Sequence, residues 1–484
     1  MLKTYYIETY GCQMNVADSE VVASILAEVG YVPVRDIKKA DLILVNTCSI
    51  RENAEQRVWG RLDLFRSEKK KRPQVIVGVL GCMAERLKEK LLESNKMVDM
   101  VVGPDAYRDL PMLLDTAATS HSVVNVLLSR EETYADISPV RLDNNGVSAF
   151  ISIMRGCNNM CAYCVVPYVR GAERSRDPET IVREAREVFD QGYREVTLLG
   201  QNVNSYSWTS NNSTNPHPSF TRGLTVKKLP NGQFPGGASL QGSLLPRKVS
   251  PPTNQNIIDF ATLLDMIASI NPLLRIRFST SHPKDLSDDV LEVMAKHDNI
   301  CKHIHLPVQS GSSAVLERMN RKYTREWYMS RIAAINRILP GCTLSTDIIA
   351  GFCGETEEEH EETLSLMKEV GFDFAYMFKY SERPDTRAAR HLEDDVSDNT
   401  KTRRLNEIIA LQNELSAISK KADIGNTFEV LVEGKAKKPA SAMMGRTTGN
   451  KVVIFQTSGV NPGEYVKVKI TDATSATLIG KLSI

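Results

Sequence analysis

Short apolar runs alternate with amphipathic segments along the first hundred residues. Buried strands are indicated at residues 5–9, 42–46 and 75–80. Helical spacing of apolar residues lies between and after them, at residues 19–29, 51–70 and 84–92. Strands that alternate with helices predict a parallel sheet with right-handed crossovers. We therefore expect an open parallel α/β domain over residues 1–130.

The alternation resumes in a second α/β domain, expected over residues 145–395. Its strand patterns lie at residues 149–156, 195–199, 274–279, 303–308, 343–349 and 374–378. Its helical patterns lie at residues 257–270, 288–296, 323–338 and 357–370. This order predicts about six βα units.

The last part of the chain becomes β-like after a linking helix at residues 399–421. Short strands separated by Gly and Pro are indicated at residues 427–433, 452–455, 465–470 and 476–482. Strands of this length and spacing are typical of a small β-barrel. We expect a third, all-β domain over residues 420–484.

Residues 207–255 interrupt the second domain and differ from it in composition. They are dense in Ser, Asn, Pro and Gly, hold seven of the 21 prolines, and carry only basic charges. A stretch of this length inside a compact domain is either functional or disordered. We treat it as an insertion that leaves the domain after a strand end.

Composition narrows the classes of protein. Hydrophobic residues make up 42% and charged residues 25%, which is ordinary for a globular chain. A net charge of +1 excludes a generic polycationic nucleic-acid coat. The longest uncharged apolar stretch, residues 75–84, is too short to span a bilayer, and the first residues do not resemble an export signal. We expect a cytoplasmic protein without membrane association, in which nine cysteines need a role other than disulfides.

Three cysteines occupy equivalent places in the first domain. Cys12, Cys48 and Cys82 each follow a predicted strand within a few residues, at spacings of 36 and 34. The carboxyl ends of parallel strands share one edge of a sheet, so the three thiols should converge there. A shared metal or cluster is favoured over three separately buried cysteines. Because structural zinc sites are usually closed by four ligands, an iron–sulfur cluster with one exposed iron fits three thiolates better.

A second trio is packed into one loop after the strand pattern at residues 149–156. Cys157, Cys161 and Cys164 have the spacing C-x3-C-x2-C. Three thiolates this close can bind three irons of a cubane and leave the fourth iron for a small ligand. Zinc is the alternative, but no His or Cys follows until His217 to supply a fourth ligand.

These motifs resemble the radical S-adenosylmethionine (SAM) superfamily. Tyr163 stands where the superfamily has an aromatic residue between the last two cysteines. Residues 10–15 (YGCQMN), 18–20 (DSE) and 156–176 (GCNNMCAYCVVPYVRGAERSR) resemble its methylthiotransferase family. One departure is Asp385, which stands where the family commonly has Gly, although Asp also tolerates turn conformations.

The resemblance implies a fold and a pair of cofactor sites. The second domain would be a partial (βα)6 barrel with its active site at the carboxyl ends of the strands. Cys157, Cys161 and Cys164 would hold a catalytic 4Fe-4S cluster that cleaves SAM. Cys12, Cys48 and Cys82 would hold a second 4Fe-4S cluster that carries the sulfur to be inserted.

Polar residues at predicted strand ends are the candidates for contacts with SAM, together with Tyr163. They are Gln201, Asn202, Ser279, Ser281, Gln309 and Asp347. Each could instead serve an ordinary strand-to-turn transition.

Arginines surround the cysteine loop. Arg170, Arg174 and Arg176 follow it and Arg155 precedes it. Because Arg can bind a phosphate or carboxylate with two donors, we expect phosphate or substrate contact, the alternative being a solvated loop.

The C-terminal domain resembles a TRAM domain, an RNA-binding β-barrel, and residues 421–484 carry a local charge of about +4. The alternative is a neutral structural barrel. We hypothesise that the insertion at residues 207–255 also contacts RNA.

The implied reaction is methylthiolation of a prenylated adenosine beside the anticodon of tRNA. The anticodon stem-loop, an external electron donor and a sulfur donor would be the partners of a monomeric enzyme. Sibling branches of the family modify threonylcarbamoyladenosine in tRNA or an aspartate of a ribosomal protein. An alternative function of a different class is that of a non-catalytic iron–sulfur protein that binds RNA.

Overall fold

The computed structural model describes residues 2–48, 52–88, 90–93, 97–120, 123–142, 145–209, 257–438, 442–457 and 459–483. The insertion expected at residues 207–255 therefore lies almost entirely outside the described residues. The described chain forms an α/β domain, an open barrel and a small closed β-barrel, in that order. The mixed α/β fold class with a C-terminal barrel is confirmed.

A parallel six-stranded sheet forms the first domain, in the order β2-β1-β3-β4-β5-β6. Its strands are β1 (Lys3–Tyr10), β2 (Tyr31–Pro33), β3 (Leu42–Thr47), β4 (Ile76–Gly81), β5 (Met100–Val102) and β6 (Val123–Asn125). Its helices are α1 (Gln13–Glu28), α2 (Glu52–Lys71), α3 (Cys82–Leu87), α4 (Lys90–Glu93) and α5 (Leu110–Ser120). The central strands β3 and β4 are almost wholly buried because apolar clusters cover both faces of the sheet.

Six parallel strands form the open barrel as two sheets. One holds β7 (Ser148–Ser152), β10 (Glu195–Leu199) and β13 (Arg275–Ser279), and the other holds β14 (His303–His305), β15 (Thr343–Ala350) and β16 (Phe374–Lys379). A bridge between Ile276 and Ile300 joins the two sheets. Short strands β8 (Met154–Arg155), β9 (Arg174–Ser175), β11 (Ser207–Thr209) and β12 (Ile257–Asp259) form two further pairs.

Helices cover the outer face of this barrel. The covering helices are preceded by α6 (Val166–Arg170), which contacts α3, and followed by α13 (Arg387–His391), which packs beside the second cysteine loop. The covering helices themselves are α7 (Pro178–Asp190), α8 (Phe260–Ala268), α9 (Asp288–Lys296), α10 (Ser313–Arg318), α11 (Arg325–Ile338) and α12 (Glu357–Val370). Alternate strand residues such as Ile151, Leu198 and Ile276 join the main apolar core with them. The residues that alternate with these along each strand face the barrel lumen. The helix expected at residues 257–270 is corrected, because Ile257–Asp259 pair as a strand with Ser207–Thr209 before α8 begins.

A long helix, α14 (Asp398–Ala422), leads to the closed C-terminal barrel. Its strands are β17 (Thr427–Lys435), β18 (Ala442–Thr447), β19 (Val452–Gln456), β20 (Tyr465–Ala473) and β21 (Leu478–Leu482), closed in the order β17-β18-β19-β21-β20. Four of these strands were predicted and β18 was not. None of the helices in the described ranges combines the length and apolar character that a membrane crossing requires.

The C-terminal barrel covers the amino ends of the strands in the open barrel. Arg275 donates to the carbonyl of Arg446, and Arg277 donates to the carbonyl of Thr447 at 2.8 Å. The Thr343 hydroxyl donates to the Gly449 carbonyl at 2.8 Å. The turn between β18 and β19 therefore closes the end of the lumen opposite to the carboxyl ends of the strands.

Candidate active site

The first cysteine trio converges at the carboxyl edge of the N-terminal sheet. Cys12 follows β1 and caps α1, Cys48 follows β3, and Cys82 begins α3 directly after β4. Gly11, which directly precedes Cys12, lies close to Cys48, since a Cβ on Gly11 would be 2.3 Å from Cys48 Cβ. The thiols of Cys12 and Cys48 are in hydrogen-bonding contact, and Cys82 interacts electrostatically with Cys12. The strand spacing therefore brings the three sulfurs to one place.

A buried guanidinium lies against this first trio. Arg170 Nε donates to Cys82 Sγ at 3.1 Å, and Arg170 Nη2 donates to Asp18 Oδ2 at 2.8 Å. The hydrogen bond with Cys48, assisted by the charge of Arg170 against the effect of burial, lowers the pKa of Cys12 to about 6. Burial raises the pKa of Cys82, and Arg170 opposes that rise. The site thus favours at least one thiolate before any metal binds.

The second trio lies in a loop held by backbone contacts. Gly156 enters it with φ +75°, and a Cβ there would meet the Ala172 carbonyl oxygen at 1.9 Å. The next residue, Cys157, donates its N–H to the Gly171 carbonyl at 3.0 Å. Further along, the Ala162 N–H donates to the Met319 carbonyl at 2.8 Å. These contacts fix a short loop in which Cys157 and Cys161 are each 8% exposed.

Arg321 takes the place beside the second trio that Arg170 takes beside the first. It is buried, and its Nη1 donates to Cys161 Sγ at 3.3 Å and to the Tyr163 hydroxyl at 3.4 Å. Burial raises the pKa of Cys157 to about 11 and that of Cys164 to about 12, so these thiols lose their protons only to a strong Lewis acid. Sequence reasoning missed Arg321, because 160 residues separate it from Cys161 and no local motif marks it.

The predicted SAM-contact residues gather at the carboxyl ends of the barrel strands. Gln201 and Asn202 follow β10, Ser279 ends β13 with Ser281 just after it, Gln309 follows β14 and Asp347 lies on β15. Within the described part of the chain, Gln201 Oε1, Asn202 Oδ1 and Ser281 Oγ are buried without a hydrogen-bond partner. Buried polar atoms are normally paired, so three orphans at one edge indicate a polar ligand there.

Gln309 is held by the neighbouring strand. Its N–H donates to the Asp347 carbonyl at 2.8 Å, and its own carbonyl accepts from Ile349 N–H at 2.9 Å. Its φ of +74° is unusual for a residue with a side chain. Asp347 lies 3.4 Å from His305 Nε2. Both side chains therefore stay at the carboxyl edge beside the orphaned atoms.

The arginines expected to meet phosphate are placed differently. Arg170, Arg174 and Arg176 are 3%, 6% and 5% exposed, and each is paired with a buried carboxylate. Their partners are Asp18, Asp105 and Glu184, respectively. The geometry favours a structural role for these arginines over contact with RNA, because a buried guanidinium that serves a carboxylate has little surface to offer a phosphate.

The first trio lies beside the barrel lumen. Met14 and Ala17 of α1 pack with Leu199 of β10, and Cys12 and Phe150 join the same apolar cluster. Phe150 and Leu199 both belong to the inward-facing set of barrel residues, alternating with the outward-facing Ile151 and Leu198. The two trios are therefore separate in sequence but border one barrel.

The cysteines of both trios are free thiols. Among the described residues, no group of three or more His, Cys, Asp or Glu side chains is arranged to hold one metal ion. All nine cysteines lie in the described ranges and none forms a disulfide. In a cubane each thiolate binds its own iron, which requires sulfurs that are near one another but do not share a centre.

Family descriptions match three parts of the chain. Residues 4–103 match "Uncharacterized protein family UPF0004", residues 151–367 match the radical SAM superfamily, and residues 421–483 match the TRAM domain.

Two relatives are similar over almost the whole chain. The tRNA-2-methylthio-N(6)-dimethylallyladenosine synthase of Amoebophilus asiaticus is 54% identical and covers 99% of this chain and 92% of its own. The synthase of the same name from Parabacteroides distasonis is 53% identical and covers 98% of this chain and 94% of its own. Among solved structures, the radical SAM methyltransferase TsrM of Kitasatospora setae aligns with a TM-score of 0.53 at 13% identity, over 78% of this chain and 73% of that one. The last likeness concerns the fold alone.

Proposed function

The chain belongs to the tRNA-2-methylthio-N(6)-dimethylallyladenosine synthase family of radical SAM enzymes, and we propose that two 4Fe-4S clusters, one on each cysteine trio, carry out its reaction. It is a tRNA methylthiotransferase, and its substrate is N6-(dimethylallyl)adenosine in tRNA. The enzyme class and the tRNA methylthiolation predicted from sequence are confirmed. The number of clusters and the residues that hold them stay a proposal.

A shared arrangement supports the proposal of two clusters. Each trio has one sulfur that accepts a hydrogen bond from a buried guanidinium, Cys82 from Arg170 and Cys161 from Arg321. A guanidinium beside a cluster-bound sulfur offsets part of its negative charge, and hydrogen bonds to sulfur tune a bound cluster. Two trios built alike, on different domains, are suited to two separate cofactors.

The strand-end residues fit SAM as the small ligand of the barrel. Gln201, Asn202 and Ser281 offer buried polar atoms that have no protein partner in the described residues. Tyr163 lies edge-on to Phe352 at 6.4 Å between ring centroids, which gives the same end of the barrel an apolar wall. The amino, carboxylate and ribose groups of SAM would form hydrogen bonds with these buried polar atoms. The adenine of SAM would lie against the apolar wall.

The chain's own residues bind and orient the reactants. When bound, a 4Fe-4S cluster with an open iron supplies the electron that allows SAM to activate an unreactive C–H bond. Cys157, Cys161 and Cys164 would hold that cluster at the carboxyl end of the barrel. The C-terminal barrel excludes water from the opposite end through the contacts of Arg275 and Arg277. Cys12, Cys48 and Cys82 would hold the second cluster beside the lumen.

The remaining partners are inferred from the chemistry. Radical cleavage of SAM requires an electron and methylthiolation requires sulfur, so we infer an external electron donor and a sulfur donor. The TRAM domain is inferred to hold the anticodon stem-loop. A monomeric enzyme in the cytoplasm stays a prediction.

Anaerobic reconstitution with iron and sulfide, followed by iron assay and mass spectrometry of tRNA nucleosides, tests the proposal. Two clusters correspond to about eight irons per chain. Cys157→Ala and Cys12→Ala should each remove about half of the iron, and neither variant should form 2-methylthio product. Loss of all iron in either variant would contradict two separate sites. A methylthiolated threonylcarbamoyladenosine would point to the sibling reaction, and absence of 5′-deoxyadenosine from the wild type would favour a non-catalytic protein.

A further inference from the structure

The inward face of strand β16 is aromatic and open. Phe374, Tyr376 and Phe378 are 46%, 47% and 39% exposed, although they lie on a strand of the barrel. The alternate residues point outward, where Met377 packs against the main core and Ala375 is buried. Three consecutive inward positions on one strand thus form a continuous apolar surface, which we name the β16 aromatic face. A contiguous exposed apolar surface commonly marks a binding site.

Neighbouring strands place this face next to the proposed SAM site. In the register of the parallel pair, Asp347 lies opposite Tyr376, and Ile349 lies opposite Phe378. Residues paired in this way point to the same side of the sheet. The face therefore continues directly from the strand-end residues toward the middle of the lumen.

The rings are arranged edge to face and leave flat surfaces uncovered. Phe374 and Tyr376 have ring centroids 4.8 Å apart at an interplanar angle of 89°. Tyr376 also meets the imidazole of His305 edge-on, at 5.8 Å and 86°. In each contact the edge of one ring meets one of the two faces of the other, so the half-exposed rings retain π surface for a planar group.

The position of β16 leaves this face accessible from the side of the barrel. β16 is the last strand of its sheet, after β14 and β15, and β7 is the last strand of the other. Beside β7 lies the apolar cluster that includes Cys12. The turn between β18 and β19 covers the amino ends of the strands. A group that enters between β7 and β16 would have the aromatic face on one side and the first cysteine trio on the other.

The chemistry of the face selects one occupant. Proteins bind unpaired bases of single-stranded RNA loops by stacking them on aromatic side chains and by hydrogen bonding to their edges. Apolar rings also suit a hydrocarbon substituent, whereas Asp347 and His305 beside them can meet polar base edges. We propose that the β16 aromatic face receives the unstacked target purine and distinguishes its N6-alkyl group from an unmodified amino group. This inference rests on the proposed function and adds the residues that recognise its substrate.

Binding of two RNA hairpins to the full-length, cluster-reconstituted protein tests this assignment. The hairpins have the same anticodon-loop sequence, one with N6-(dimethylallyl)adenosine and one with adenosine, and fluorescence anisotropy gives the two dissociation constants. The wild type should bind the alkylated hairpin more tightly. In the double variant Phe374→Ala/Tyr376→Ala, binding of the alkylated hairpin should weaken about tenfold or more, as expected when stacking on an aromatic is lost. The ratio of the two constants should fall toward one.

Two further variants keep the result interpretable. Tyr376→Phe retains the ring and should retain the ratio, which separates recognition from a general fault in folding. Trp327→Ala removes an aromatic that is 45% exposed on α11, outside the lumen, and should leave both constants unchanged.

The assignment is overturned if the double variant keeps the wild-type ratio, whatever happens to overall affinity. It is also overturned if the wild type binds both hairpins equally, or if equilibrium dialysis shows that the double variant loses affinity for SAM while the ratio stays the same. Failure of the proposed function would appear separately, as absence of the 2-methylthio nucleoside from wild-type turnover.

Discussion

Asp18 is a single carboxylate that serves two buried cations. It is 0% exposed and accepts hydrogen bonds from Arg155 and Arg170, each at 2.8 Å. Asp18→Asn would leave two guanidiniums buried with one charge too few, so we expect the free energy of unfolding to fall by about 3–5 kcal/mol. Urea denaturation under anaerobic conditions measures this change.

Asp288→Asn is the matched control for that variant. Asp288 also accepts from two arginines, Arg331 and Arg337, but its side chain, on the first turn of α9, is 42% exposed. Its loss should lower the free energy of unfolding much less than the loss of Asp18, because water and salt screen pairs at the surface. Equal effects of the two substitutions would show that burial of Asp18 does not decide its contribution.

His282 makes stability depend on pH. Burial, assisted by Arg321 and Lys284, lowers the pKa of His282 to about 2, so the folded protein keeps the ring neutral. Below the ordinary pKa of 6.5 the unfolded chain takes up a proton that the folded chain does not, and stability therefore falls as pH falls.

The variant His282→Asn isolates this contribution. Asn lacks a titrating group but keeps a side-chain acceptor for the Lys284 N–H that His282 caps. Between pH 7 and pH 5 the wild type should lose about 2 kcal/mol more stability than the variant. Parallel slopes of unfolding free energy against pH would refute a neutral buried ring.

Sequence could place the cysteines because their positions follow from strand periodicity. Cys12, Cys48 and Cys82 each follow a strand in a parallel sheet, and that topology alone brings them to one edge. It could not identify Arg321 as a neighbour of Cys161, or predict that Arg170 and Arg174 pair with Asp18 and Asp105. Those pairings join residues 69 to 160 positions apart, and only the packed domains reveal them.

At the scale of elements, most of the longer strands were predicted from the sequence, whereas several of the shortest were not. β2, β5 and β6 have three residues each, too few to display a period. β18 has Gly445 in its middle, which weakens a strand pattern. The glycine is required by packing, since a Cβ there would meet the Leu431 carbonyl oxygen at 2.2 Å. Asp385, where the family commonly has Gly, adopts φ +67°, so the left-handed turn is present with a different residue.

The turn that enters the second cysteine loop provides a test at this scale. Gly156→Ala would place a methyl group 1.9 Å from the Ala172 carbonyl oxygen at a φ of +75°. The loop would have to move, so we expect reconstituted protein to lose about half of its iron while the first trio keeps its cluster. Iron assay and the absorbance of the cluster measure the loss.

Gly146→Ala is the control, because it introduces the same left-handed backbone strain without a steric clash. Gly146 has φ +65°, but a Cβ there meets nothing within 4 Å. This variant should cost about 1 kcal/mol of stability from backbone strain and keep its full iron content. If Gly156→Ala also kept its iron, the loop would not depend on the close approach at Ala172.

At the scale of the whole molecule, buried ion pairs join the first domain to the barrel. Arg155 of β8 reaches Asp18 of α1, and Arg174 of β9 reaches Asp105 of the first domain at 2.9 Å. These pairs explain why the arginines around the cysteine loop are buried although each carries a positive charge. The sequence shows that a guanidinium is present but not which carboxylate neutralises it, and the structure favours pairing with carboxylates over contact with phosphate.

The exposed lysines of the C-terminal barrel are then the better candidates for phosphate contact. Lys467, Lys469 and Lys481 project from β20 and β21, and Lys469 lies opposite Lys481 in the antiparallel register. Like charges directly opposite each other destabilise an isolated sheet, and a polyanion would relieve that repulsion. Each Lys→Gln change should lower the slope of log affinity for tRNA against log salt by about 0.7–0.9, whereas Lys368→Gln on the outer helix α12 should leave it unchanged. Filter binding of tRNA across a salt series measures the slope, and an unaltered slope in the triple variant would place the phosphate contacts elsewhere on the molecule.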